Sequence, residues 1–373
     1  MIKFTLTPYD VLFFGSGRPF NRGDVVNSIF PPHPTTFSGA ICSRIYSYKN
    51  INVVSILNAV YGPFIEKQGE IYFPKPQNIY GERKKKDFEE FFVVEPININ
   101  LKLFDPVNTN KKPEFQTLPV YKGIKEIESF NGFISISGLK KWLNNEKIDK
   151  EDILLFKDIF ENEPRVGISV DPSLYSVGGS EDALYRIGFL RLKENIKFVF
   201  WVEFNFSDKE LEKVGLNDED KIIEFFNKGL KVLKLGGEMK NVSYEVDKND
   251  FKKWIIRELK IKPDLNIKQG EKIQVLFLTY GVFDFQINGF QIYSTCFGNY
   301  EIVGINSKSL GTKTKRAFPP GTILWLESKN DKNISSISFL VKNQNDYDFK
   351  EPKGNQDFIG TNLVLVIKKE DRV

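Results

Sequence analysis

The sequence predicts an α+β protein in two halves, and three observations carry that expectation. Strand and helix patterns mix in both halves, without the regular alternation of a doubly wound sheet. Lys197–Phe206 places Phe198, Phe200, Val202, Phe204 and Phe206 on one face by strict alternation, which reads as a strand. Asp218 to Leu235 carries Ile222, Phe226, Leu230 and Leu233 at helical spacing, with Asn217 or Asp218 as a cap and Gly236 placed to end the helix. The boundary between the halves is expected near residue 195.

The remaining elements follow in chain order. Ile2 to Leu6 reads as a strand, followed by the apolar run Val11–Phe14 and a loop rich in Gly and Arg, Gly15–Gly23. Phe37, Ile41, Ile45 and Tyr48 recur at helical spacing, with Thr35 or Thr36 as the expected cap. The stretch from about Gly81 to Ile136 reads as an irregular insertion, with Arg83-Lys84-Lys85-Lys86 and several prolines. Helical patterns are expected at Ser137–Asn145 and Lys150–Phe160. Glu163–Val170 and Leu184–Leu192 read as the arms of a long hairpin around the polar loop Ser173–Asp182. Further strands are expected at Ile273–Thr279, Tyr300–Ile305, Thr322–Glu327, Ser336–Val341 and Asn362–Ile367.

Composition narrows the function classes. The chain has 373 residues, 53 Lys+Arg against 49 Asp+Glu, 41% hydrophobic and 27% charged residues, which describes a globular protein rather than a disordered one. Cys42 and Cys296 make no CxxC pair and read as buried thiols of a reducing compartment. No run approaches the ~18 apolar residues of a membrane span, and the first residues lack a secretory pattern, so a cytoplasmic location is expected. One histidine, His33, lies in the proline turn Phe30-Pro31-Pro32-His33-Pro34 and reads as a turn residue. Any His-dependent triad, metal cluster or acid–base pair has to be built around it. No catalytic residue, metal or cofactor is expected. Gly15-Ser16-Gly17 lacks the third glycine of a dinucleotide fingerprint, no Gly-Lys-Ser/Thr closes a P-loop, and Asn217–Asp220 reads as acids in a first helical turn.

Charge distribution points to nucleic acid. Residues 1–60 hold Lys3, Arg18, Arg22, Arg44 and Lys49 against Asp10 and Asp24, and residues 293–325 hold Lys308, Lys313, Lys315 and Arg316 against Glu301. Both segments are also rich in Gly and Pro, a pattern suited to tracking a phosphate backbone. Thr35, Thr36 and Ser38 in a first helical turn, behind a strand and a loop, make a phosphate-facing arrangement plausible. Lys308–Arg316 reads as a basic loop whose small residues, Gly311 among them, let the backbone approach a ligand.

Several motifs occur in the order of one family. Pro8–Phe14 with Gly17-Arg18-Pro19-Phe20, Ser28–Pro32 with Thr35 and Gly39-Ala40, Glu163–Ile168 with Leu184-Tyr185, Leu235-Gly236-Gly237-Glu238, and Ala317–Thr322 together resemble the RAMP-superfamily subunit three of the Cmr complex, the type III-B CRISPR effector. The matches run from residue 8 to about 327. Pro320-Gly321-Thr322 stands where the family has Ala-Gly-Ser, and the usual Gly-Trp ahead of the basic loop is replaced by Ser309-Leu310-Gly311. The resemblance implies two ferredoxin-like, RRM-related domains in tandem, packed face to face, with loop and hairpin insertions. The first is expected at 1–195, with an insertion around 81–136, and the second at 196–373. It implies a non-catalytic subunit that caps the 5′ repeat-derived tag of the crRNA, with the large palm-domain subunit and the backbone RAMP subunit as its protein partners and no membrane contact.

The RNA-binding residues expected on these grounds are Arg18, Arg22, Thr35, Thr36, Ser38, Arg44, Arg165, Lys308, Gly311, Lys313, Lys315 and Arg316. Cations and backbone N–H groups would hold phosphates while base faces rest on aromatic rings, and Arg165 with the loop around Tyr175–Ser180 would separate tag bases. Three alternatives stay open: the equivalent capping subunit of the type III-A (Csm) complex, a metal-independent repeat-RNA endonuclease using His33, and an adaptor without RNA contact.

Overall fold

The computed structural model describes residues 1–16, 25–84, 87–98, 117–168, 170–171, 176–177, 184–307, 311–343, 345–352 and 359–368. Its first sheet has eight strands, all antiparallel, in the order Ile153–Leu155, Gly132–Ser135, Glu70–Pro74, Leu57–Lys67, Ile196–Phe204, Ile2–Pro8, Asn241–Lys248 and Val232–Lys234. Ile196–Phe204 is its central strand, with Phe200 opposite Phe4, and Phe4 in turn opposite Val246. Helix Pro34–Lys49 connects the strands at 2–8 and 57–67, and helix Glu219–Asn227 connects those at 196–204 and 241–248. The unit is therefore strand–helix–strand twice over.

Side-chain size and polarity explain these elements. Pro34 occupies the first turn of its helix, where the missing N–H costs nothing, and Asn50 ends the helix at φ 50. Asp218 caps the second helix by accepting from the Lys221 amide at 2.8 Å. Phe37, Ile41 and Ile45 from the first helix and Ile222 and Phe226 from the second close over Phe4, Phe198, Phe200 and Val202.

The opposite face of the same sheet is just as apolar. Tyr61, Phe64, Val199 and Trp201 pack against helices Ile136–Leu143 and Phe251–Leu259 and against a second sheet. That sheet has six antiparallel strands in the order Phe290–Cys296, Ile323–Ser328, Lys272–Phe277, Leu363–Lys368, Ile337–Lys342 and Tyr347–Lys350. Alternation sends Leu276, Ile323, Trp325, Leu363 and Leu365 into the shared core, and Val275, Leu324, Leu326, Val364 and Val366 into a third core behind. Tyr61 meets Phe339 edge-on across the shared core at 5.3 Å.

Several expectations are corrected. Residue 195, expected as a boundary between halves, directly precedes the central strand of the first sheet, whose last strand in the chain ends at Lys248. Among the described residues no α-helix follows Leu259, so the second half does not repeat the two-helix plan of the first. The helix expected over 218–235 stops at Asn227. Gly229 turns the chain at φ 72, Leu230 is exposed, and Val232–Lys234 finds a free sheet edge on Asn241–Lys248. The helix expected at 150–160 is replaced by a 3-10 turn, the edge strand Ile153–Leu155 and one helical turn, Phe156–Ile159. The stretch 81–136 is regular in part: Ile79–Lys84 pairs with Asp87–Val93 and Glu95–Asn98 with Thr117–Val120, whereas 121–131 is a loop tied down by one bridge, Glu128 to Gly81.

Because both sheets contribute to one core, the chain is expected to unfold in a single transition. Urea unfolding followed by tryptophan fluorescence and by far-UV circular dichroism should give coincident curves. Trp325→Ala, in the second sheet, should lower the stability of the whole chain by about 3–5 kcal/mol. Two separated transitions would contradict the shared core.

Candidate nucleic-acid interface

The basic segment expected as a loop is a strand. Gly311–Ala317 pairs with Glu301–Ser307 as a hairpin, because Thr312, Thr314 and the apolar Ile302, Val303 and Ile305 suit a pleated ribbon. Its base is anchored by Val303 and Ala317, buried against Tyr280 and Ile29. Lys315, opposite Val303, and Arg316, opposite Ile302, lie on alternate faces and are both exposed. The Arg316 guanidinium stands 5.1 Å from the centre of the Tyr300 ring. Positions 311 and 313 lie on the same strand, whereas Arg18, Arg22 and Lys308 lie outside the described residues.

A second hairpin, Phe160–Ile168 with Leu184–Leu192, matches the expected one, and Val25–Asn27 runs parallel along its outer edge. Two of its arginines are committed. Arg165 Nε donates to Glu163 Oε1 at 2.8 Å, Arg191 Nε to Glu163 Oε2 at 2.6 Å, and both guanidiniums reach Asp10, at 3.3 and 2.9 Å. The two arginines hold the Glu163 carboxyl below its ordinary range. For Asp10, desolvation acts upward but the Val11 amide and the same arginines outweigh it, so it too is shifted down. The sequence flagged Arg165 alone. Its partners were legible only as the i, i+2 pair Glu163/Arg165 on one strand face.

Behind this network lies the Leu235-Gly236-Gly237-Glu238 turn. Gly236 takes φ 77, and a Cβ there would sit 2.3 Å from the Phe13 carbonyl oxygen, which also accepts from the Gly237 amide at 2.8 Å. The expected helix stop is thus the closing turn of an edge strand, clamped on the Val11–Phe14 run. Arg165 and Lys240 both stand over the Phe189 ring, at 5.3 and 4.8 Å.

Short chain connections bring the two hairpins together. Val26 packs into the cluster behind the long hairpin, and Ile29 packs into the base of the basic one. Three residues span at most about 11 Å, so segments far apart in sequence share one ridge. Tyr280 fixes the ridge by donating to the Pro31 carbonyl at 2.7 Å.

Other expected residues have structural work. His33, not Thr35 or Thr36, is the cap residue of the first helix, and it makes no side-chain capping bond. Thr35 and Thr36 are half-buried, and the buried Ser38 hydroxyl donates to the Thr35 carbonyl at 3.0 Å. Pro34 packs against Gly360, leaving no room there for a Cβ. Arg44 ties the exposed side of the helix to the Leu230 carbonyl at 2.8 Å and to the Tyr48 hydroxyl at 3.0 Å; Tyr48, expected in the buried stripe, is exposed. The buried His33 ring stacks on Tyr280 at 4.0 Å, and burial pushes its pKa down to about 4. Among the described residues no cluster of His, Cys, Asp and Glu could hold a metal, and no helix is long and apolar enough to cross a membrane.

The family model of the CRISPR-associated protein family Cas_Cmr3 matches residues 4–369. The chain belongs to the Cas_Cmr3 family. No curated protein sequence matches it significantly. Among solved structures it is similar to a chain of the type III-B Cmr-beta complex bound to cognate target RNA and AMPPnP, at 17% identity over 87% of this chain and 86% of that one, with a TM-score of 0.48. It is also similar to a chain of the Csm3–Csm4 subcomplex of the type III-A complex, at 14% identity over 95% and 98% of the two chains, with a TM-score of 0.40.

Two expected outcomes test this geometry. Gly236→Ala meets both a left-handed φ and the Phe13 oxygen, whereas Gly270→Ala meets only the φ, at 81, with open space around it. The former should destabilise by about 2–3 kcal/mol and the latter by about 1 kcal/mol in urea titrations. His33 is neutral when folded, so between its ordinary pKa of 6.5 and about 4 the unfolded chain binds a proton that the folded chain refuses. Stability should be full above that window and fall as pH drops through it, by at most about 3 kcal/mol, and His33→Gln should flatten the fall.

Proposed function

We propose that this Cas_Cmr3 family member is a non-catalytic subunit of a type III-B CRISPR ribonucleoprotein that holds the 5′ repeat-derived tag of the crRNA. In the same reading it bridges the large palm-domain subunit to the backbone filament, and the twice-repeated strand–helix–strand unit up to Lys248 is a ferredoxin-like domain. The observation that carries the reading is the ridge of residues 25–33. It joins a hairpin with an exposed Lys315, which has no ion pair among the described residues, and a ring-backed Arg316 to a hairpin on which Arg165 and Arg191 form a network with two carboxylates. A single strand laid along the ridge would meet cations at one end and a wedge-like hairpin at the other.

Phosphate contacts are assigned to Lys313, Lys315 and Arg316, with Arg18, Arg22 and Lys308 as further cations of the two segments and Gly311 as a point of close backbone approach. Arg165 would contact RNA by exchanging a carboxylate for a phosphate. Thr35, Thr36, Ser38 and Arg44 are left to the fold. Endonuclease chemistry through His33 is disfavoured, because an imidazole buried to 8% exposure and stacked on Tyr280 cannot reach a 2′-hydroxyl. The family match favours the type III-B over the type III-A complex.

Salt dependence is the test. If about six phosphates are neutralised, the logarithm of the affinity for single-stranded RNA should fall with the logarithm of salt at a slope of roughly −4. Replacing Lys313, Lys315 and Arg316 together by Ala should weaken binding to every sequence and reduce the slope by about 2. Unchanged affinity in that variant, or a flat salt response in the parent, would refute the assignment.

A further inference from the structure

Between the two sheets is a cleft of about 630 Å3, within the size range of small-molecule sites. Phe30, Phe130 and Phe156 give it aromatic walls, and Phe297, 48% exposed, stands at its mouth. Two ionisable groups in the lining, Lys75 and Glu301, have no ion-pair partner among the described residues. Lys75, 3% exposed, donates from Nζ to the Pro76 and Ile79 carbonyls at 3.1 and 2.8 Å. Those two acceptors match the two N–H bonds of a neutral amine and leave its lone pair unused. An ammonium would carry a third N–H, with only the Phe130 ring, centred 4.7 Å away, to offset the burial of its charge. Glu301 is the converse case. Its Oε2 lies 3.2 Å from the Tyr280 hydroxyl, whose single proton serves the shorter bond, to the Pro31 carbonyl at 2.7 Å. A protonated carboxyl completes the longer contact. Burial favours the neutral form of both groups, pushing the Lys75 amine down to about 7 and the Glu301 carboxyl upward.

We infer that the cleft is a covalent site for a small, flat aldehyde, with Lys75 as the nucleophile and Glu301 as the proton donor. A buried nucleophilic amine and a buried acid in one cleft are the two groups that carbonyl addition requires. The Lys75 Nζ lone pair forms the new C–N bond while the carbonyl π pair moves onto oxygen, which takes the Glu301 proton. The nitrogen of this carbinolamine returns a proton to the Glu301 carboxylate. Glu301 then protonates the hydroxyl, the C–O bond breaks and water leaves, so that an iminium and the Glu301 carboxylate remain as an ion pair. No oxidant or other co-reactant is needed. The lining also selects the electrophile. An anionic acyl donor would be buried with no cation to receive its charge, and the aromatic walls favour a flat conjugated aldehyde over an aliphatic one. Cys296, in the same lining, does not compete, because burial pushes its thiol up to about 11 and keeps it from the thiolate form. The chemistry involves no nucleic acid and stands apart from the phosphate assignments.

The test treats the full chain with pyridoxal, a flat aromatic aldehyde without a phosphate, near neutral pH, followed by borohydride reduction and peptide mapping by mass. Lys75 should be labelled about tenfold faster than any exposed lysine, because an ordinary amine with a pKa near 10.4 is almost wholly protonated there. Raising the pH should erase the preference as the exposed amines lose their protons. Glu301→Gln keeps the shape of the acid without its ionisable proton, and should slow labelling of Lys75 roughly a hundredfold while exposed lysines react as in the parent. Lys75→Met should abolish the fast adduct. Labelling in the parent chain with Lys75 no faster than the exposed lysines would overturn the site without recourse to any variant. A fast Lys75 adduct that forms at the same rate in Glu301→Gln would overturn the two-group mechanism.

Discussion

The structure depends on one strand being buried on both faces. Ile196–Phe204 sends Phe198, Phe200, Val202 and Phe204 into the core under the two crossing helices, and Val199 and Trp201 into the core shared with the second sheet. A strand apolar on both faces over Phe198–Val202 fixes its register through polarity only at its ends, where Lys197 and Glu203 are partly exposed. Between those ends register is fixed by shape. Against Leu57–Lys67 the pairing jumps from Val199↔Phe64 to Trp201↔Tyr61, and Gly62, at φ 105, absorbs the irregularity. Trp201 Nε1 then donates to Asn249 Oδ1 at 2.9 Å, which a slipped strand could not offer. Fully burying each Phe stabilises by about 1.5–3 kcal/mol, so this single strand contributes more than any loop around it.

From that strand outward, the geometry of the ridge follows. The long hairpin holds the Val11–Phe14 run in place through the Leu12–Leu190 pairing, and the Gly236-Gly237 turn clamps its end. The second sheet supplies Tyr280, which fixes the proline turn from the other side. Residues 25–33 are therefore stretched between elements that belong to different sheets. The burial of His33 and Lys75 has the same origin, because both lie on short proline-rich connections pressed between the two layers.

Much of the fold was legible, and the misses share a cause. The sequence located the long hairpin, seen at Phe160–Ile168 and Leu184–Leu192, and five of the ten strands that follow residue 260 among the described residues, but not Phe290–Cys296 or Gly311–Ala317. Helical spacing misled at 218–235, where Leu230 and Leu233 fit the period but Gly229 had already turned the chain. Edge strands were invisible, since Val232–Lys234 and Ile153–Leu155 are three residues long and exist only because a neighbour offers unpaired backbone. In the candidate interface, sequence located the cations but not their partners. Arg44 and Arg165 looked like Lys315 and Arg316 on charge alone, yet the first two are bound to acceptors within the fold. Only the family motifs tied these scattered residues to one function.

The central claim is that the ridge holds the repeat-derived 5′ end of a guide RNA, and one measurement reaches it directly. The tagged chain is purified from its native host under gentle salt, and the RNA that accompanies it is sequenced from the 5′ end. The account predicts RNAs that share one repeat-derived 5′ sequence and differ downstream, recovered together with a large and a backbone protein subunit. RNA no more abundant than in an untagged control, or RNAs with no common 5′ end, would contradict it.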